Sequence, residues 1–187
     1  MSYMYSEEEL IHQCLNNKVK AQEDFYRRYA PKMYGVCLRF AKNKMEADDF
    51  LQEGFIKVFS NLGSFRNEGS LEGWIRRTIV NTAINLIKKN QKYLNDTEID
   101  KADLMPEAEA GAFEHLCAEE LLGLIAELPA GYRMVFNLNV IEGYTHREIG
   151  ELLDISENAS KSQLSRARST LQRKIAELQK VTNEQAI

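Results

Sequence analysis

Nearly every patterned segment of this chain has the period of a helix, and the pattern stops once, in the middle. Leu71, Ile75, Ile79, Ala83 and Leu86 recur at three- and four-residue spacing, as do Ser160, Leu164, Ala167, Leu171, Ile175 and Leu178. Such spacing gathers the residues on one stripe of an α-helix, and the stripe must be covered by other helices. From Asp96 to Glu120, by contrast, there are nine acids (Asp96, Glu98, Asp100, Asp103, Glu107, Glu109, Glu114, Glu119, Glu120) against one base, Lys101. Pro106 lies there too, with few large apolar residues before Phe113. A segment of this kind buries too little surface to offset its ordering entropy. The expectation is an all-α fold: two small helical domains, 1–92 and 115–187, joined by a flexible acidic linker, 93–114.

The helix ends carry their own signals. Ser6 stands three residues before Glu9, the spacing of a capping box. A helical pattern starts near Gln22 and is expected to be interrupted at Pro31, and another runs from Met45 to Leu62. The stretch "NLGSFRNEGS", Asn61 to Ser70, reads as a loop, and a long helix follows from Leu71 to about Lys89. The alternation in "VFNLNV" is ambiguous, but Tyr132, Val135, Phe136 and Val140 fit helical spacing at least as well as a strand.

Several functions are excluded. No apolar run approaches the ~18–20 residues of a membrane span, and the start "MSYMYSEEEL" lacks the features of a secretion signal, so a cytoplasmic location without direct membrane insertion is expected. The three cysteines are an odd number and do not suggest a disulfide framework. His12 with Cys14, and His115 with Cys117, stand two apart in helical stretches and so do not share a face; neither a metal nor a cofactor is expected. A glycine-rich phosphate loop and a nucleophile motif are both missing, which argues against an enzyme.

The chemistry lies in its cations. The formal net charge is −4, yet the stretch from Asn158 to Lys174 carries Lys161, Arg166, Arg168, Arg173 and Lys174 and no acid. Ahead of it, Thr145 and Glu148 form a second capping box at the start of "HREIGELL", whose buried side is Ile149, Leu152 and Leu153. "DIS" then makes a tight turn in which Ser156 caps the next helix. On that helix Asn158, Ser162, Ser165, Arg166, Ser169 and Arg173 face away from the apolar stripe, flanked by Lys161 and Arg168. Short helix, three-residue turn and basic helix are the layout of a helix-turn-helix, whose second helix enters the major groove. Small serines let that helix sit deep, Arg and Asn reach base edges, and the flanking cations neutralise phosphates.

A second basic helix lies in the N-terminal half. "SLEGWIRRTIVNTAINLIKKNQK" has no acid after Glu72, and Trp74, Arg77, Asn81, Asn85, Lys88 and Lys92 fall on or near the side opposite its apolar stripe. An aromatic, two amides and several cations suit single-stranded or melted nucleic acid. The helix before it is acidic: Glu46, Asp48, Asp49 and Glu53 surround Phe50, Leu51, Phe55 and Phe59, a surface suited to a protein partner with basic residues.

Three stretches in this order, "ADDFLQEGFIKVF", "WIRRTIVNTAINLIKK" and "LPAGYRMVFNLNVIEGYTHREIGELLDISENASKSQLSRAR", resemble the extracytoplasmic-function sigma factors of the sigma-70 family. The resemblance implies a transcription initiation factor that binds core RNA polymerase and directs it to promoter DNA, duplex at −35 and melted at −10. By that resemblance Asp49, Gln52, Glu53, Phe55 and Phe59 contact polymerase. Trp74, Arg77, Asn81, Asn85 and Lys88 read the −10 element, and the loop Phe65, Arg66, Asn67, Glu68, Gly69 and Ser70 receives a flipped-out base. Asn158, Lys161, Ser162, Ser165, Arg166, Arg168 and Arg173 read the −35 element. An anti-sigma factor is a further implied partner. Asn85, Ser160 and Gln163 depart from the family pattern, where an aspartate, a branched apolar residue and an arginine are common. The alternative is a stand-alone helix-turn-helix regulator, for which the long acidic linker has no role.

Overall fold

The structure, a computed structural model, describes residues 5–92 and 118–185. The linker expected at 93–114 and the pair His115 and Cys117 lie outside these residues. The chain divides into two compact units between Asn95 and Asp96. Every regular element among the described residues is helical.

The first unit holds α1 (Glu7–Leu15), α2 (Val19–Phe40), α3 (Lys44–Asn61), a short 3₁₀ turn (Leu62–Ser64) and α4 (Leu71–Lys92). The capping box at α1 forms: the Glu9 amide donates to Ser6 Oγ at 3.3 Å and the Ser6 amide to Glu9 Oε2 at 3.0 Å. Leu10 and Cys14 bury the inner side of α1, and the Tyr29 hydroxyl ties α2 back to it through Glu7 Oε2 at 3.0 Å. Asn43 caps α3 by accepting the Glu46 amide at 2.9 Å.

The expected break at Pro31 does not occur; α2 runs through it. The ring faces solvent, while Phe25, Tyr29, Met33, Val36, Cys37 and Phe40 are buried on both sides of it. A proline in a helix interior costs about 3 kcal/mol. Full burial of one large apolar side chain contributes about 1.5–3 kcal/mol, so a helix carrying several of them retains its course.

The stripe on α4 is Leu71, Ile75, Ile79, Val80, Ala83, Ile84 and Ile87, all buried. Leu86, expected there, is only half-buried, because the buried face broadens around Ile84 and Ile87. Gly54 of α3 lies directly against Ile79: a Cβ at position 54 would stand 2.8 Å from Ile79 Cγ1. Lacking that atom, α3 and α4 pack closely. An exposed ion pair, Lys32 to Glu72 at 2.6 Å, links α2 to α4 and contributes at most about 1 kcal/mol.

The second unit holds α5 (Ala118–Ala126), α6 (Ala130–Phe136), a π turn (Asn137–Ile141), α7 (His146–Leu153) and α8 (Glu157–Gln185). "VFNLNV" is therefore helical, closing in a wide turn where the Glu142 amide donates to the Asn137 carbonyl at 2.9 Å. The wide turn shifts the register: Leu138 is fully buried, whereas Val140, expected on the stripe, is 47% exposed. Leu124, Ile125, Leu128, Val135, Ile149, Leu164, Ala167, Leu171 and Ile175 form the core. The Arg133 guanidinium donates to the Ala126 carbonyl at 2.7 Å, and Lys174 forms an ion pair with Glu127. Leu178, placed on the stripe by spacing, is 44% exposed. A 29-residue helix is longer than the seven- to nine-residue helices available to cover it.

Candidate nucleic-acid interface

The most complete candidate surface is the outer face of α8, and its placement begins at the turn before it. Asp154 takes the left-handed conformation (φ 60°, ψ 44°) that ends α7, a position where Asp is tolerated and most residues are not. Gly150 lets the turn fold back on α7, since a Cβ there would stand 2.8 Å from the Ile155 carbonyl oxygen. Ser156 then accepts the Ala159 amide at 3.0 Å and starts α8. The second capping box is also present, with the Glu148 amide donating to Thr145 Oγ1 at 3.2 Å and the Thr145 amide to Glu148 Oε2 at 2.8 Å. Leu152 and Leu153 are only half-buried, so Ile149 alone of the expected trio is fully inside.

Asn158, Lys161, Ser162, Ser165, Arg168 and Arg173 are all exposed. Arg166 differs from the expectation: it is half-buried, and its guanidinium donates to the Tyr132 hydroxyl of α6 at 3.4 Å. The cause is its place at the edge of the stripe, one residue before buried Ala167. Lys161 pairs with Glu157 one turn earlier at 2.6 Å. Glu157 precedes the acid-free stretch by one residue, so its carboxylate escaped that count. Its carboxyl is held below the usual range, first by Lys161 and then by His146 and Arg147.

In the first unit, Arg77 and Asn85 are exposed on α4, while Trp74, Asn81 and Lys88 are partly covered. Trp74 packs at a tilt against Phe65, with ring centroids 5.6 Å apart. A cleft of about 400 Å³ opens beside them, lined by Phe65, Arg66, Glu68, Ser70, Trp74 and Arg77 among others. Asn67 (φ 59°) and Gly69 (φ 112°) bend the loop on its rim through left-handed conformations. Ser70 starts α4 by accepting the Gly73 amide at 3.0 Å. Two aromatic rings and two guanidinium-bearing residues around one cleft can stack a base and meet a phosphate.

On α3, Asp49, Gln52 and Glu53 are exposed and adjacent. Phe55 is 3% exposed and packs on Tyr26 and Phe59 at centroid distances of 4.7 and 6.2 Å, so it supports this face from beneath. Phe59 is half-buried and also touches Phe25. Asp48 points elsewhere, toward Tyr34, whose phenol is pushed up first by burial and then by Asp48. Two residues overlooked in the sequence complete the stripe: Met45, 76% exposed, and Ile56, 50% exposed, each in step with Asp49 and Glu53. Their spacing was visible, but an apolar residue on an acidic face stands out only once its exposure is known.

Among the described residues, no helix is long and apolar enough to cross a membrane. Residues 25–93 match the Sigma-70 region 2 family and residues 118–171 match the Sigma-70, region 4 family. The chain is 29% identical over 181 residues to the ECF RNA polymerase sigma factor SigW of Bacillus subtilis (strain 168), covering 90% of this chain and 96% of the relative. It is 25% identical over 189 residues to the ECF RNA polymerase sigma-E factor of Escherichia coli (strain K12), covering 95% and 98%. Among solved structures, the fold resembles the sigma factor RpoE of Bartonella quintana, crystallised in complex with the anti-sigma factor NepR. The TM-score is 0.52 at 19% identity, covering 85% of this chain and 98% of that one.

Proposed function

This chain belongs to the sigma-70 family, in its extracytoplasmic-function branch, and from that premise we propose how its faces divide the work of initiation. It is an initiation factor that directs RNA polymerase to promoters. The exposed stripe Asp49, Gln52 and Glu53, with Met45 and Ile56, docks on core polymerase through charge and apolar contact together. Arg77, Asn81, Asn85 and Lys88 meet the melted −10 strand, and the cleft beside Phe65 and Trp74 takes an extruded base. The face from Asn158 to Arg173 reads the −35 duplex, six of its seven assigned side chains standing exposed on a helix-turn-helix. That face is the observation that carries the reading.

The acidic segment 93–114 serves as the tether between a domain spanning 1–92 and one spanning 115–187. The promoter-binding role places the protein in the cytoplasm, and an anti-sigma protein is the regulator supported by the complex in which the similar fold was solved. The test is reconstitution of the full chain with core polymerase, followed by run-off transcription on genomic fragments. Discrete transcripts with common −35 and −10 sequences are expected. Tight palindrome binding by the protein without polymerase would instead identify a stand-alone regulator.

A further inference from the structure

Beneath the −35 face lies a polar pair that packing alone does not explain. Ser160 is 0% exposed, and Asn137 is the other fully buried polar residue among those described. A hydroxyl buried among apolar groups is costly unless it is hydrogen-bonded, and an apolar side chain would fill the same space without that cost. The partner of Ser160 is His146, whose Nδ1 lies 2.9 Å from its Oγ. His146 is the first residue of α7 and follows the Thr145 cap, so its backbone is fixed by the capping box. Ser160 is the fourth residue of α8, within the turn that presents Asn158, Lys161 and Ser162 outward. The bond thus joins the N-terminal turns of the two helices of the motif.

We propose that His146 and Ser160 form a positioning pair that sets the rotation of the first turn of α8, and so selects which bases its outer side chains reach. The proposal rests on the −35 reading of α8. Two other directional bonds hold the motif: the Ile155 amide donates to the Gly150 carbonyl at 3.1 Å in the turn, and Arg166 donates to Tyr132 farther along α8. Neither is made by the first turn of α8. Gly150 permits close approach to the turn, and Ile149 and Leu164 supply apolar contact, which is non-directional. A hydrogen bond weakens steeply as its angle departs from linearity, so it resists turning of the helix about its own axis. Deleting the pair in favour of two apolar groups is close to neutral for stability, but it removes this directional restraint.

The experiment uses holoenzyme assembled from the full chain and core polymerase. It is offered a pool of promoter duplexes with a randomised −35 segment, and the bound fraction is sequenced. The double variant His146→Leu with Ser160→Val should melt within a few degrees of the wild type, yet its preference for the best −35 sequence over single-base variants should fall roughly fivefold. His146→Ala should show the same loss. His146→Asn, which returns a polar atom near the position of Nδ1, should recover most of the preference; His146→Gln, whose polar atoms lie nearer the position of Nε2, should not. An unchanged preference in the folded double variant would overturn the positioning pair while leaving the −35 reading intact. Wild-type holoenzyme with no −35 preference at all would overturn that reading, and the pair with it.

Discussion

Replacing glycine by alanine at two positions of the first unit is expected to change stability in opposite directions. Gly35 and Gly54 both lie inside long helices, where alanine is favoured over glycine by about 1 kcal/mol. At Gly35 an added Cβ meets nothing within 4 Å, so the preference stands and Gly35→Ala should stabilise by about 0.5–1 kcal/mol. At Gly54 the new atom would stand 2.8 Å from Ile79 Cγ1 and 3.3 Å from its Cβ and Cγ2. Carbon atoms rest comfortably at about 3.5–4.0 Å, and a β-branched residue in a helix has essentially one rotamer. Ile79 is also 0% exposed, so it has nowhere to turn. Overpacking costs about 1–3 kcal/mol, which exceeds the helical gain and leaves Gly54→Ala about 1 kcal/mol less stable than wild type. Trp74 is the only tryptophan, so its fluorescence in a urea titration reports this unit rather than the other. In a thermal scan, 1 kcal/mol corresponds to a shift of about 4–8 °C for a unit of this size. Adding Ile79→Ala should cost less in the Gly54→Ala background than in wild type, because it removes the crowding atoms. Equal stabilisation by Gly35→Ala and Gly54→Ala would refute the close-packing argument.

Replacing Asp49 and Glu53 by Lys should weaken capture by core polymerase, measured by co-sedimentation, with stability changed by no more than about 0.5 kcal/mol. Arg166→Ala and Tyr132→Phe should alter preference at the same −35 positions, by up to about 1–3 kcal/mol, because the two side chains act as a bonded unit; unrelated run-off profiles would break that link. Burial pushes the Cys14 thiol up to about 11 and the Cys37 thiol up to about 12. Their neutral forms therefore contribute stability that is fully present below the ordinary thiol pKa and is lost as pH rises through these raised values. In a Cys117→Ser background, both thiols should resist a thiol reagent at mildly alkaline pH until the unit unfolds. Changing the acids between Asp96 and Glu120 to Asn and Gln should tighten DNA binding by the free protein at low salt. The difference should fade as salt rises, which a salt titration of affinity checks.

What the sequence disclosed was mainly local. The starts of α1 and α7 were legible because Ser6 with Glu9, and Thr145 with Glu148, lie within one turn and complete each other's hydrogen bonds. The exposed side of α8 was legible because its stripe repeats without interruption as far as Ile175. The continuity of α2 through Pro31 is not legible locally, because it depends on the residues buried on either side of the proline. The half-covered state of Arg166 depends on Tyr132, 34 residues away, and that of Phe55 on Tyr26 of a neighbouring helix. No periodic pattern carries such pairings. Met45 and Ile56 escaped notice for a related reason: a lone apolar residue gains meaning only from what fails to cover it.

The wide turn at Asn137–Ile141 bears on how such a protein changes over generations. A π turn is an α-helix carrying one residue too many, closed here by the bond from Glu142 to Asn137. Excising one residue between Asn137 and Val140 would remove that surplus and return the turn to ordinary pitch, with the backbone on either side kept nearly in place. The segments after it, α7 and α8, would keep their seat against α6 through the shared core of Val135, Leu138, Ile149 and Leu164. A single codon lost at this point is thus absorbed by the turn, and α8 keeps both its direction and every one of its side chains.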